Sequence, residues 1–403
     1  MRLIFKRFNL PILVTLGLSS FVRAEGVQSL PSALNPKISL IGNFVGNTGP
    51  MNDPNSNKFS LDETELGFQA EVDPYARADF FASFSQDNVP SFEEGYVTLL
   101  ALPWHLRARG GKYRVVFGRL NVTHPHEYSQ VTTPLVLSSF LGADGLNDAG
   151  IELSRAFAPF GIFTEITYSI LNGLGDQEAA SPATASVKDV NGNIVNVTVN
   201  RNDPTEQRSG KSFAHVSRAR LYTDFTDSSN LELGVSGLFY QPSGFRETKM
   251  GALDMTYRWK PLQRNVYQSF TWRTEAMYSD RKLPPVIDPV TGLTALAEQR
   301  LHRRGIYSYI EYQPIKRWRF GVRGDYVESP NDSNLGVTLQ DGSQRTVGTP
   351  VTRAISPYIT FTLTEFNRFR IEYQRKQIPG DDIEHRVFFQ WTIVLGPHGA
   401  HPF

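Results

Sequence analysis

Apolar and polar residues alternate along most of this chain. Leu66, Phe68, Ala70 and Val72 fall on one face of an extended segment, while Glu63, Glu65, Gln69 and Glu71 fall on the other. Ala78, Phe80, Ala82 and Phe84 continue the apolar face beyond a turn at Asp73-Pro74-Tyr75-Ala76. Leu253, Met255, Tyr257 and Trp259 alternate with Asp254, Thr256 and Arg258. Trp318, Phe320, Val322 and Tyr326 alternate with Arg317, Arg319, Arg323 and Asp325, and Phe369, Ile371 and Tyr373 with Arg368, Arg370, Glu372 and Gln374. Helical periodicity is almost absent. The period predicts strands over 37–45, 60–72, 77–86, 93–101, 105–119, 149–157, 162–171, 212–224, 230–240 and 248–260. It predicts six more over 266–279, 301–312, 317–328, 351–363, 368–377 and 384–395, which makes 16.

The connections alternate in length as well. Residues 73–76, 102–104, 158–161, 225–229, 261–265, 313–316 and 364–367 are short turns; 46–59, 120–148, 172–211, 280–300 and 329–350 are long. Short turns on one side and long loops on the other predict an all-β, antiparallel, up-and-down transmembrane β-barrel. An even strand count returns both termini to the periplasmic side. In a barrel of this size the apolar face meets lipid and the polar face lines a wet lumen. A single sandwich would not use so many long strands, and a packed core would not tolerate so much charge.

The two ends and the composition fit that reading. Arg2, Lys6 and Arg7, the apolar stretch Leu10 to Val22 and the small-residue site Val22-Arg23-Ala24 predict a signal peptide over 1–24. A short periplasmic linker over 25–36 and a barrel over 37–403 complete the domain plan. Beyond the leader no apolar run reaches the roughly 18 residues of a membrane helix. Yet the chain holds 27 Phe, 16 Tyr and 5 Trp and no cysteine. Without the leader, Lys+Arg falls from 41 by four, against 40 Asp+Glu, so the mature chain is weakly acidic. Nucleic acid, which calls for a basic face, is excluded as a partner. The expected location is the bacterial outer membrane, with membrane lipid and the barrel assembly machinery as partners.

One connection departs from the surface-loop pattern. Gly111 to Gly150 begins as a strand and continues as a long segment containing the apolar run Pro134 to Leu141. Solvent exposure disfavours such a run. The segment after the fifth strand is therefore expected to fold inward and narrow a pore, with Asn121, His124, His126, Glu127 and Phe140 on the constriction loop. His124, His126 and Glu127 are zinc- or nickel-ligand types, but an irregular loop gives them no fixed spacing. The expectation is that they anchor the loop, with no metal and no cofactor. By alternation Arg114, Arg218, Arg220, Arg258, Arg273, Arg319, Arg323, Arg368 and Arg370 point into the lumen, with Glu63, Glu65, Glu71, Asp79 and Glu165 inward from the first half. Tyr113, Val115 and Phe117 are placed on the apolar face. Cationic and anionic walls are then expected on different arcs, a field that acts on ions and dipolar solutes.

The segments Gly111-Lys112-Tyr113 and Phe117-Gly118-Arg119 resemble a strand motif of the phosphate-selective porin O/P-like family. The runs Gly118-Arg119-Leu120-Asn121, His124-Pro125-His126-Glu127, Phe140-Leu141-Gly142 and Gly145-Leu146-Asn147, and the ending from Gln390 to Phe403, resemble bacterial porin-like barrels. The resemblance covers about 50 residues of the chain. It implies an outer-membrane porin, passive diffusion of small hydrophilic solutes or ions, a homotrimer by analogy, and Trp391 with the terminal Phe403 as an assembly signal. Three other classes compete. A barrel enzyme needs a nucleophile with a positioned His, and there is no G-x-S-x-G. A plugged receptor needs about 22 strands and a large plug. A non-conducting adhesin or structural barrel would work through its long loops.

Overall fold

The computed structural model describes residues 36–49, 57–84, 90–142, 144–174, 183–188, 194–199, 212–243, 246–262, 267–283, 286–287, 294–296, 299–328, 337–338, 344–345, 351–378 and 383–396. The expected signal peptide and linker, up to residue 35, and the terminal Phe403 lie outside the described residues.

Sixteen strands form one closed barrel. In chain order they are β1 (Lys37–Thr48), β2 (Lys58–Asp73), β3 (Ala76–Phe84), β4 (Pro90–Leu102), β5 (Leu106–Arg114), β6 (Asn147–Phe157), β7 (Phe163–Leu171) and β8 (Ala214–Thr226). They continue as β9 (Ser229–Ser243), β10 (Arg246–Trp259), β11 (Ser269–Leu283), β12 (Gln299–Ile315), β13 (Trp318–Glu328), β14 (Val351–Thr364), β15 (Asn367–Gln377) and β16 (Glu384–Leu395). Each pairs antiparallel with its sequence neighbours. β1 closes on β16 from Leu40 opposite Leu395 to Thr48 opposite Val387, so no edge is left unpaired. Two-stranded ribbons at 183–188 with 194–199, 286–287 with 294–296, and 337–338 with 344–345 decorate the long-loop end.

Alternation builds the wall. Val235, Leu253, Ile306, Phe320 and Ile371 project outward and are exposed, the outer face that alternation predicts. An aromatic belt crosses the seam: Trp318 lies 4.8 Å from Phe361, Phe369 5.7 Å from Trp391, and Trp391 5.6 Å from Phe44. The Trp391 indole N–H donates to Asn367 Oδ1 at 2.9 Å, which suits a ring whose body is apolar and whose tip is polar.

The wall is uneven. β3, β5 and β7 have 9 residues each, whereas β12 has 17. The low side is where the chain leaves the wall. The alternation places the fifth strand over 105–119, but β5 ends at Arg114, and residues 115–142 and 144–146 run inside the barrel. Their apolar run forms a helix, α1 (Leu135–Leu141), entered through Pro134. A barrel-length pattern gives no helical signal at seven residues, so this element was not foreseen.

Candidate functional site

The inward loop is closed at its neck by a polar residue. Asn121 donates through Nδ2 to the carbonyls of Val115 (2.8 Å) and Leu146 (2.9 Å) and accepts from the Leu146 N–H at 2.8 Å. Val115, Phe117, Leu120, Val136, Leu137, Phe140, Leu141 and Leu146 are all buried. They pack with Tyr113, Leu171, Val216, Leu238, Met277 and Tyr307 from the inner wall. Each such side chain contributes roughly 1.5–3 kcal/mol of burial. The inner face of this arc is therefore apolar, not wet. This inverts the face assigned to the fifth strand: Tyr113 points inward, into the loop's own core. Arg114 also turns inward because the chain departs from the wall there, not by strand alternation.

The loop is tied across the lumen by charge. Glu372 accepts from the N–H groups of Val131 (2.6 Å) and Thr132 (3.0 Å) and from the Thr132 hydroxyl at 2.5 Å. Asp325 accepts from the N–H of Leu135 at 3.0 Å, at the first turn of α1. Arg323, fully buried, donates to Asp325 Oδ2 at 2.8 Å, to the Thr132 carbonyl at 2.6 Å and to its hydroxyl at 2.7 Å. Arg370 donates to the carbonyls of Gln130 (2.8 Å), His126 (2.7 Å) and Tyr128, and Arg368 donates to the His126 carbonyl. Arg303 donates to the Ser139 carbonyl at 2.9 Å and stacks over Phe140, 4.9 Å from the ring centre. Guanidinium and carboxylate groups here replace the water that an irregular backbone would otherwise need.

A third tie involves Gly118, whose φ is +65°. Its N–H donates to Ser236 Oγ at 3.0 Å, and the next N–H, of Arg119, donates to Glu275 Oε1 at 3.2 Å. A Cβ at Gly118 would overlap the Glu275 carboxylate. Gly118→Ala is therefore expected to cost about 1–3 kcal/mol from backbone strain plus displacement of Glu275. The readout is the temperature at which the folded barrel changes mobility in a heat-modifiability assay, which should fall by several degrees. An unchanged midpoint would mean that Glu275 swings aside freely.

The histidines meet the acids of the opposite arc. Glu93 is the extra residue of a β-bulge, since Phe81 pairs with Glu94 and Ala82 with Phe92. The bulge brings both Glu93 and Glu94 to the lumen side. His124 Nδ1 lies 2.7 Å from Glu65 Oε2 and 3.4 Å from Glu93 Oε2; its Nε2 lies 2.7 Å from Glu94 Oε1. His126 Nδ1 lies 3.8 Å from both Glu63 Oε2 and Glu65 Oε2. Arg114 approaches Glu93 at 3.7 Å and Glu94 at 3.9 Å. Burial alone would lower the His124 pKa, but the charge of Glu65 and the hydrogen bonds to Glu65, Glu93 and Glu94 outweigh it and hold it well above the ordinary imidazole value. Glu127 remains half-buried, 4.0 Å from His126 Nε2.

The lumen charges do not form two separated walls. They interleave and pair: Arg77 with Asp79 (2.7 Å), Arg109 with Glu152 (2.8 Å), Arg218 with Asp254 (2.6 Å), and Arg107 and Arg220 with Glu165 (3.1 and 3.0 Å). Arg109 lies directly opposite Glu152 and Arg220 opposite Glu165 on neighbouring strands, Arg77 and Asp79 share β3, and the other two pairs reach across one intervening strand, so charge is paired locally rather than sorted by arc. Arg273 donates to Thr256 Oγ1 at 3.1 Å, and Arg319 to Gln313 Oε1 at 3.3 Å. Arg119 and Arg258 share Glu232, at 3.0 and 3.4 Å. Burial, then neighbouring Arg273, Arg258 and Arg220, lower the Arg119 pKa to about 10. Glu71 lies exposed near the β2–β3 turn.

Below the loop a cavity of about 360 Å³ remains against β2 to β8. Arg77, Arg107, Arg109, Arg114, Arg119, Arg218 and Arg220 line it, against Asp79, Glu94, Glu152 and Glu165. Seven cations face four anions. Of these the sequence pattern selects Arg114, Arg218 and Arg220, but not Arg77, Arg107, Arg109 or Arg119. Alternation puts Asp254, Asp325 and Glu372 on the polar face, but it passes over Glu93, Glu94, Glu232 and Glu275, which with them hold the arginines and the loop. Strand alternation could have found all but Glu93, which sits on a bulge, and Arg119, which sits on the loop.

No family model matches the chain. A relative from Aquifex aeolicus, described as an uncharacterized protein, is 26% identical over 370 residues, covering 86% of this chain and 70% of that protein. Among solved structures, the outer membrane channel DcaP of Acinetobacter baumannii superposes with a TM-score of 0.52 at 11% identity, over 90% of this chain and 96% of that one. OmpF of Salmonella typhi, in a complex with daunomycin, gives 0.51 at 11% identity over 89% and 98%. OprB of Pseudomonas putida gives 0.51 at 10% identity over 90% and 94%. At these identities the likeness is one of fold: a closed 16-stranded antiparallel β-barrel, the architecture of these outer-membrane proteins.

Proposed function

We propose that this barrel passes small hydrophilic solutes by diffusion and favours small anions. The observation that carries the reading is the lining of the cavity beneath the loop, with its excess of three arginines over carboxylates. An anion entering it meets guanidinium donors already oriented by partners, so little reorganisation opposes binding or release. Arg119, Arg258 and Arg273 gather around Glu232 at its edge and extend the positive field. No chemical step is part of the mechanism. Kinship with phosphate-selective porins, suggested by the Gly111-Lys112-Tyr113 and Phe117-Gly118-Arg119 segments, belongs to the same proposal, as do a homotrimer and a cleaved leader.

The test is planar-bilayer recording of the purified chain in a KCl gradient. The expected reversal potential is that of an anion-preferring pore. Replacing Arg119 and Arg220 together by Ala should move it toward cation preference by at least several millivolts, because two of roughly three excess charges are lost. A reversal potential that does not move would assign the arginines a structural role. The loop's ties on both sides of the lumen favour a second reading, a closed barrel whose working parts are its long loops. Absence of conductance above the lipid background would select that reading over the first.

A further inference from the structure

The histidine cluster gathers four carboxylates around two imidazole rings. Glu63 and Glu65 come from β2, Glu93 and Glu94 from β4, and the nearby guanidinium is Arg114. One ligand atom each from Glu65, His124 and His126 lies within 4.8 Å of the others, and the same holds for Glu63, Glu65 and Glu93. Glu65, His124 and His126 are all at most 1% exposed. A hydrogen-bonded clasp would seek to satisfy every oxygen. Glu65 Oε1, however, is enclosed and accepts no hydrogen bond among the described residues. Leaving a buried carboxylate oxygen without a donor is unfavourable, and a cation removes that penalty.

The orientation of His124 is a second, separate indication. Its Nε2 is held by Glu94 Oε1 at 2.7 Å, which turns Nδ1 toward Glu65 and Glu93. A carboxylate on one ring nitrogen and carboxylate oxygens gathered around the other is the arrangement that orients a metal-binding imidazole. The donor set is two imidazole nitrogens and carboxylate oxygens. That combination suits zinc or a neighbouring first-row divalent ion, not calcium or magnesium, which take oxygen ligands.

We propose that Glu65, His124 and His126, completed by Glu63 or Glu93, bind one divalent transition-metal ion of the zinc class that fastens the inward loop to β2 and β4. The ion would act structurally. The loop's other flank is already fixed, since the His126 carbonyl accepts from Arg368 and Arg370. With metal bound, the segment between Asn121 and Gln130 is held from both sides of the lumen. The inference concerns metal content, so it stands apart from whether the pore conducts.

The experiment uses the full chain, folded in detergent, stripped with a chelator and then equilibrated with Zn2+ at near-neutral pH. Elemental analysis after removal of free metal should find one equivalent. His126→Ala and Glu65→Gln should each abolish stoichiometric retention, and Glu94→Gln should weaken affinity roughly 10–100-fold while keeping the site. His215→Ala, on the outer wall beside Tyr168, should keep one equivalent. Heat-modifiability confirms that each variant is a folded barrel; should His126→Ala not fold, Glu65→Gln decides. Retention of no zinc by the unmodified chain would overturn the proposal and leave the two imidazoles as clasps between the loop and the carboxylates. Equal retention by His126→Ala and Glu65→Gln would overturn it as well, by placing the metal elsewhere.

Discussion

Deleting Val131 to Ser139 should raise the single-channel conductance at least about threefold, because 16-stranded barrels without an internal filling leave a wide aqueous channel. The segment carries α1 up to Ser139 and the loop's contacts with β11, β12, β13 and β15. Its removal opens the lumen above the cavity. The wall itself should survive, since the backbone of every barrel strand is hydrogen-bonded to two neighbouring barrel strands and the loop is tied to them through side chains. Arg323, Asp325 and Glu372 would lose their loop partners but would gain water, so their charges need not remain buried. Folded barrel, shown by heat-modifiability, is therefore a condition of the measurement. A conductance equal to that of the intact chain would place the conduction path elsewhere. If the intact chain is silent and the deletion variant conducts, the barrel is closed by its own loop, and the adhesin or structural reading gains.

The period-two rhythm was legible because it is imposed on every wall residue. A strand between lipid and lumen must alternate, so Trp318, Phe320 and Val322 announce β13 without help from tertiary context. The inward loop was legible for the opposite reason: Leu135 to Leu141 is apolar where a solvent-facing loop would not be. What that run packs against was not legible. Tyr113 shares the inner face of β5 with Arg107 and Arg109 and meets the loop's core because the chain leaves the wall just after Arg114, and nothing in an alternating sequence marks where a chain peels from a wall. Glu93 faces the histidines because of a bulge, a one-residue insertion that alternation cannot register. The paired lumen charges were half-legible. Arg218 and Asp254 each fall on the inner face by count, but their meeting depends on the register between β8, β9 and β10, which is fixed by turns and shear, not by composition.

Glu372→Ala should release the loop at its most heavily bonded point. One carboxylate accepts from two consecutive N–H groups and a hydroxyl of the loop, and its Oε1 lies 3.6 Å from Arg323 Nη2. Both side chains of that ion pair are fully enclosed. Removing one member of a buried, hydrogen-bonded pair costs about 3–5 kcal/mol, much of it from the groups left behind. Here those are Arg323, which keeps Asp325, and the N–H groups of Val131 and Thr132, which keep no side-chain acceptor that the geometry offers. A loss of about 3 kcal/mol raises the population of a locally opened loop by roughly two orders of magnitude. Amide hydrogen exchange across residues 128–137 should accelerate accordingly, while exchange in β11 and β12 stays slow. Glu372→Gln, which retains one acceptor oxygen, should fall between. In bilayers the released loop should appear as added current noise at unchanged ion preference, since Glu372 does not line the cavity below. Exchange as slow in Glu372→Ala as in the parent chain would show that Arg323 and Arg370 hold the segment without the carboxylate, and that the loop's tie to the wall is carried by its backbone carbonyls instead.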